Sequence, residues 1–279
     1  MKRSERLVDM TKYLMERPHT LIALPFFAKR YGAAKSSISE DLAILKHTLA
    51  GNQDGVLETV AGAAGGVRYI PFLGKKHAED YLTNLAARIE DPSRILAGGF
   101  VYLSDILGDT QDLRRIGELV ATHYAYDDVD AVMTIETKGI ALAQAVARYL
   151  DVPFVTARKR SKVTEGATVS VNYISSSLAR VSKMELPTRA LAKGSKVLIV
   201  DDFMKGGGTL TGMEELVKEF EGTEGTIAGT CVLCEADFDK EKLVNNYLSL
   251  VKISKIDTAK KLIMAQPGNF LDNTDFDRF

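Results

Sequence analysis

The 279-residue chain has no tryptophan, only two cysteines, only seven prolines and no excess of charge of either sign, its formal net charge being −1. No apolar run reaches the roughly 18 residues that a membrane-spanning helix needs. The opening residues, MKRSERLVDM, place no apolar core behind their charges, so no signal peptide is expected and the expected location is the cytoplasm. Two cysteines cannot supply the four ligands of a structural zinc site. Cys231 and Cys234 lie inside the apolar run IAGTCVLCEA, away from the strand-to-helix turn where a redox pair usually sits, and read as core residues.

A near-neutral total is a poor start for a nucleic-acid binder, but distribution matters more than the sum. Residues 1–74 carry 10 Lys or Arg against 7 Asp or Glu, and the remainder carries 26 against 30. A mildly basic front joined to a mildly acidic body permits DNA binding without establishing it. Hydrophobic and charged fractions are those of an ordinary globular protein, and the length allows two domains.

The front reads as helix, helix, helix, hairpin. Leu7, Met10, Leu14 and Met15 share one face of a first helix that Ser4 can cap, and Arg17-Pro18 ends it. Leu24-Pro25 opens a second helix with Phe27 and Tyr31 inward, and Gly32 stops it. Ser36 or Ser37 can cap a third, with Glu40 completing a capping box, Ile38, Leu42 and Leu45 inward, and Gly51 at its end. VLETV (56–60) and VRYI (67–70) flank a small-residue tip, AGAAGG. A hairpin directly behind a helix-turn-helix is the wing of a winged helix. Pro71 to Lys76 reads as a linker, which gives a winged-helix domain over 1–74 and a second domain over 75–279.

The body alternates. Helices are expected over 78–90, 111–124, 138–150 and 210–221. Strands are expected at 98–103, 129–135, 153–157, 196–200, IAGTCVLCEA and YLSLVKI, with a hairpin over 168–175 and 180–186. Such alternation implies an α/β layered fold with a mostly parallel sheet. The acidic, aperiodic end, NFLDNTDFDRF, is expected to be loosely ordered.

The informative segment is VLIVDDFMKGGGT, Val197 to Thr209. An apolar strand delivers Asp201 and Asp202 to its carboxyl end, expected to be exposed, where open α/β sheets bind ligands. Gly206, Gly207 and Gly208 let backbone amides approach an anion, the following helix N-terminus adds positive potential, and Thr209 can donate a hydroxyl. A phosphate fits the loop but not the carboxylates. Those suit vicinal hydroxyls, or a divalent cation shared with them. A ribose bearing a terminal phosphate satisfies both halves.

This pattern resembles the phosphoribosyl pyrophosphate (PRPP) motif of type I phosphoribosyltransferases. The resemblance implies that Thr137, Lys138 and Gly139, after strand 129–135, stand where the family binds pyrophosphate, often through a non-proline cis peptide. The cationic run 158–162, with Arg158 and Lys159, stands where the family carries a flexible loop. Some enzymes that use purine bases carry a carboxylate general base three residues after the second acid. Here that position is Lys205, which cannot act so while charged but can bind a phosphate oxygen. Phe203 can pack against the body or a nucleobase.

With a winged helix in front, the whole chain, including the small-residue wing tip and KVTEG, resembles the purine operon repressors of Gram-positive bacteria. That implies a homodimer on double-stranded operator DNA. It also implies PRPP as effector, with Mg2+ as companion ion, guanosine tetraphosphate as a competing ligand, and no catalysis. Recognition is expected from Lys35, Ser36, Ser37 and Ser39, and phosphate contacts from Lys29, Arg30 and Arg68. Three alternatives stay open: a working purine phosphoribosyltransferase with an autoregulatory DNA-binding domain, an RNA-binding winged helix, and a structural adaptor.

Overall fold

A computed structural model describes residues 1–62, 65–160, 163–175, 180–221, 226–237 and 242–279. In the front domain α1 (Arg3–Met15), α2 (Leu24–Tyr31) and α3 (Lys35–Asn52) precede the antiparallel hairpin of β1 (Val56–Val60) and β2 (Gly66–Ile70). Met10, Leu14, Phe27, Ile38, Leu42, Leu45, Leu57 and Val67 form its core. Met15, expected on that inward face, is instead about half exposed. Gly32 ends α2 in the left-handed conformation (φ 60°), as its position predicts.

The expected caps are not the ones used. The α1 N-terminus is closed by the Lys2 amide, which donates to Glu5 Oε2 at 2.8 Å, and Ser4 lies in the first turn. The residue before α3 is Ala34. Ser36 and Ser37 sit inside the first turn, the Ser39 hydroxyl donates back to the Lys35 carbonyl, and Glu40 pairs with Arg3. Gly51 does not stop α3, which runs to Asn52 and ends on a left-handed Gln53. Asp41 anchors α3. Its fully buried carboxylate accepts from Arg3 Nε and Arg6 Nε, each at 2.9 Å, and so ties α3 to α1.

The body runs α4 (Lys75–Ile89), a short hairpin β3 (Ile95–Leu96) and β4 (Phe100–Val101), α5 (Thr110–His123), β5 (Ala131–Ile135), α6 (Gly139–Leu150) and β6 (Phe154–Ala157). The hairpin β7 (Thr168–Ser175) and β8 (Arg180–Pro187) follows, then β9 (Val197–Met204), α7 (Gly208–Glu221), β10 (Ile227–Ala236), β11 (Leu248–Asp257), β12 (Leu262–Pro267) and α8 (Phe270–Asn273). Six strands form one sheet in the order β12-β11-β10-β9-β5-β6, parallel except for β12 against β11. Alternation along β9 divides the core. Leu198 and Val200 face α4, α5 and α6, while Val197 and Ile199 face α7 and the β7–β8 hairpin.

Four expectations need correction. Pro71–Gly74 is no exposed linker: all four residues are buried, the Leu73 amide donates to Thr122 Oγ1 at 2.9 Å, and α4 starts at Lys75. The run 98–103 contributes only the two-residue strand β4, because Gly98 and Gly99 turn at positive φ. β12 has no counterpart in the sequence reading. The terminal segment, expected to be loose, is docked: Phe270 is fully buried, Asn269 bonds across to Ser249 and Tyr247, and Phe279 stacks on Phe72 at 4.2 Å. Phe270, Phe276 and Phe279 supply the burial that the acidic composition hides.

The segment is therefore part of the cooperative unit. Phe270→Ala should cost about 3–5 kcal/mol, read as a fall in the urea midpoint; a loss below about 1 kcal/mol would mean the segment frays independently.

Candidate functional site

The carboxyl ends of β5 and β9 open onto a cavity of about 610 Å³. Its polar side is Lys138, Asp201, Asp202, Lys205, Thr209 and the backbone of Gly206 and Gly207. Its apolar side is the β3–β4 hairpin, with Leu96, Phe100, Val101 and Leu103, together with Phe203. Sequence reading missed that hairpin wall, because two-residue strands show no periodicity; only the Gly98-Gly99 pair marks the turn. Arg94 fastens it, donating to the Asp105 carboxylate at 2.8 and 2.7 Å and to the Tyr102 carbonyl at 2.9 Å.

β9 is longer than its apolar run predicts and carries Asp201 to Met204 within the strand, so the turn begins only at Lys205. This corrects the exposure expected of the acidic pair. Asp201 is only 5 % exposed and Asp202 is half-buried. Asp201 Oδ1 accepts the Asp202 amide at 3.0 Å. Burial, then the neighbouring Asp202 charge, pushes the Asp201 carboxyl well above the usual aspartate range. Burial raises Asp202 as well, against the opposing pull of its hydrogen bond with Asp201 and of the Lys138 ammonium.

The second loop lies beside this pair. The Glu136–Thr137 peptide is cis. Thr137 and Lys138 are exposed, whereas Gly139 is buried at the start of α6. A Cβ on Gly139 would collide with the Thr134 hydroxyl and lie 3.5 Å from Asp201 Oδ1, so only glycine lets the loop sit so close to the carboxylate. Gly207 adopts φ +82° in the phosphate-type turn, and Gly208 is buried at the first position of α7.

Arg158 and Lys159 do not line the cavity. Arg158 pairs with Glu136 at 3.4 Å and Glu165 at 3.0 Å, and the Lys159 amide donates to Glu136 Oε1. Arg160 of the same run is exposed, while Ser161 and Lys162 lie outside the described residues, as do Ala63 and Ala64 of the wing tip. Both cysteines are free and buried, and burial pushes the Cys231 thiol up to about 12, which suits core residues and not reactive ones.

On the front domain Lys35, Ser36 and Ser39 are exposed at the start of α3, and Ser37 is half-buried. The same face continues through Glu40, Ala43, Lys46 and His47, all exposed. Those four were legible at the three-to-four spacing from Ser36 but were passed over. Lys29 is exposed on α2, while Arg30 is held by Asp9 at 2.8 and 3.2 Å. Arg68, expected at a phosphate, already has an acidic partner in the free chain. It pairs with Glu58 at 2.7 Å, Glu58 accepts from Tyr126 of the body at 2.6 Å, and Arg68 lines a cleft against the body with Lys196. The antiparallel register places Arg68 opposite Glu58, which is why it is neutralised.

A carboxyl group raised in the folded chain holds its proton more tightly there than in the unfolded chain. Its stabilising contribution is full below the ordinary value of 3.8 and is lost as pH rises through the folded value. Asp201→Asn should therefore raise the ligand-free Tm at pH 7 by about 2–4 °C. The gap from the native chain should widen as pH rises from about 4. A lower Tm for the Asn variant at neutral pH would show that the ionised carboxylate stabilises the fold.

Comparison with known proteins agrees with both halves. The family model described as "Bacterial purine repressor, N-terminal" matches residues 2–71, and the model "Phosphoribosyl transferase domain" matches residues 104–263. The chain is 51% identical over 270 residues to the purine biosynthesis transcriptional repressor PurR of Bacillus subtilis (strain 168), covering 97% of this chain and 94% of that one. It is 46% identical over 273 residues to the purine biosynthesis transcriptional activator PurR of Lactococcus lactis subsp. lactis (strain IL1403), covering 98% and 100%. Among solved structures, the adenine phosphoribosyltransferase of Saccharomyces cerevisiae shares the body's fold at 20% identity, with a TM-score of 0.52, covering 61% of this chain and 97% of that one. Near-full-length identity to these relatives, on a winged helix joined to a phosphoribosyltransferase-type sheet, means that the chain belongs to the bacterial purine repressor family.

Proposed function

We propose that this chain is a cytoplasmic DNA-binding transcriptional regulator of purine synthesis and salvage genes, with PRPP as its effector and no transferase activity. The supporting observation is one chain that joins an exposed recognition face on α3 to a cavity ringed by Asp201, Asp202, Lys138 and the glycine loop. The glycine loop takes the terminal phosphate, Asp202 with Asp201 the ribose hydroxyls, and Lys138 the pyrophosphate. Among the described residues no group of three or more His, Cys, Asp or Glu gathers to hold a metal. A Mg2+ arriving with PRPP would thus take most of its oxygen ligands from the phosphates and water, as Mg2+ commonly does. Lys205 lines the cavity at the position where some purine-transferring enzymes of the resembled family carry a carboxylate base and others a small residue. Guanosine tetraphosphate, another polyanion on a ribose, competes for the same groups.

Control follows from linkage. If PRPP binds the DNA-free form more tightly than the DNA-bound form, it weakens DNA binding by the same factor. One recognition helix reads few base pairs, so the reading includes a homodimer whose two-fold axis doubles the site.

A titration of duplex DNA from upstream of purine genes, with and without PRPP and Mg2+, tests this reading, together with an assay for PRPP consumption with purine bases. An effector-dependent shift without turnover is expected. Turnover would make the chain an enzyme, and tighter binding of structured RNA than of duplex DNA would make it an RNA-binding protein.

Within that assay, Ser39→Ala should change sequence preference, and Lys46→Ala should weaken all sequences and lower the salt slope by about 1. Arg68→Ala should leave the slope unchanged, because its charge is already met by Glu58. A slope change at Arg68 and none at Lys46 would put the wing, not α3, on the backbone.

A further inference from the structure

Behind the glycine loop lies a polar cluster that the cavity does not include. Glu235, in β10 beside Met204 of β9, is 4 % exposed. Its Oε2 accepts from Lys242 Nζ and from Tyr247 OH at 2.6 Å, and its Oε1 accepts from Ser249 Oγ at 2.7 Å. Burial alone would raise this carboxyl; the bonds from Lys242, Tyr247 and Ser249 outweigh it and hold the group below its usual range.

Lys242 and Tyr247 bracket a segment that is pressed onto the back of the glycine loop. The Leu243 amide donates to the Gly206 carbonyl at 3.0 Å. A Cβ on Gly207 would meet Val244 Cγ2 at 3.2 Å and the Val244 amide nitrogen at 3.3 Å. Val244 is itself buried. The loop's front face, where amides would meet a phosphate, is thus set by what presses on its back.

We propose that Glu235 is a positioning residue for anion binding by the glycine loop: through Lys242 and Tyr247 it holds residues 242–247 against Gly206 and Gly207, and so aims the loop at a terminal phosphate it does not itself touch. The inference rests on the effector reading above. A general structural role predicts something different, since a weakened β10–β11 seam would loosen every part of the cavity equally.

Two simple ligands separate these roles in the full-length chain. Ribose 5-phosphate probes the glycine loop, and inorganic pyrophosphate probes the Lys138 loop on the other side of the cavity. Glu235→Gln keeps the shape but removes the carboxylate oxygen that two donors share. It should raise the calorimetric Kd of ribose 5-phosphate by about tenfold or more, and change that of pyrophosphate by less than about twofold. Lys242→Met, a second variant that leaves Glu235 in place, should show the same split. Unchanged ribose 5-phosphate affinity in both variants overturns the assignment, as do equal losses for both ligands or the loss of a cooperative thermal transition in both. A native chain that binds neither ligand would instead refute the effector reading itself.

Discussion

The carboxylate of Asp201 is the constraint around which the body is organised. It stands within the carboxyl-terminal half of β9, a central strand of the mostly parallel sheet, almost out of water, with Asp202 beside it. An ionised group there is unfavourable without a partner. Among the described residues no cation is brought directly onto it: Asp201 accepts the Asp202 amide, and Lys138 acts on Asp202. Burial disfavours an ionised carboxylate at this place, and a ligand that donates hydroxyls, or carries a cation, would offset that cost.

Other features follow from giving that group room. Gly139 must be glycine, because a side chain would strike Thr134 and crowd Asp201. The buried Thr134 hydroxyl has no hydrogen-bond partner among the described residues, a cost of burial accepted at the same spot. Lys138 and Lys205 reach the cavity from opposite loops, and the β3–β4 hairpin walls it with apolar side chains. The front domain is not an independent appendage to this arrangement. Buried Pro71–Gly74, the Glu58–Tyr126 contact and a 3.2 Å hydrogen bond from Thr20 to Asp151 join it to the body over several points. A change in the body thus has a physical route to the front domain.

Much of this was legible in the sequence. The 3.6-residue stripes of α1 to α3, the strand–helix alternation and VLIVDDFMKGGGT define the two domains and the pocket's polar half, because periodicity and glycine placement are local signals. What was not legible depends on partners distant in sequence. Asp201 looked like a solvated strand end, since β10 on one side and β5 on the other decide its burial. Arg68 looked free, since only the hairpin register shows Glu58 opposite it. The buried linker and the docked terminal segment were misjudged for the same reason: their apolar groups, Phe72 and Phe279, meet only after the fold has formed. Serine capping failed because both helices start earlier than the serines suggest: Lys2 precedes α1 and Ala34 precedes α3, which leaves Ser4, Ser36 and Ser37 inside the first turn.

In the proposed function, a phosphorylated ribose at the Asp201 pocket is coupled to DNA at α3. Coupling of this kind is reciprocal. The most direct measurement is the calorimetric Kd of PRPP with Mg2+, taken for the free chain and for the chain saturated with its operator DNA. PRPP is expected to bind more weakly on DNA, by the same factor by which PRPP weakens the DNA complex. An identical PRPP affinity with and without DNA would rule the coupling out.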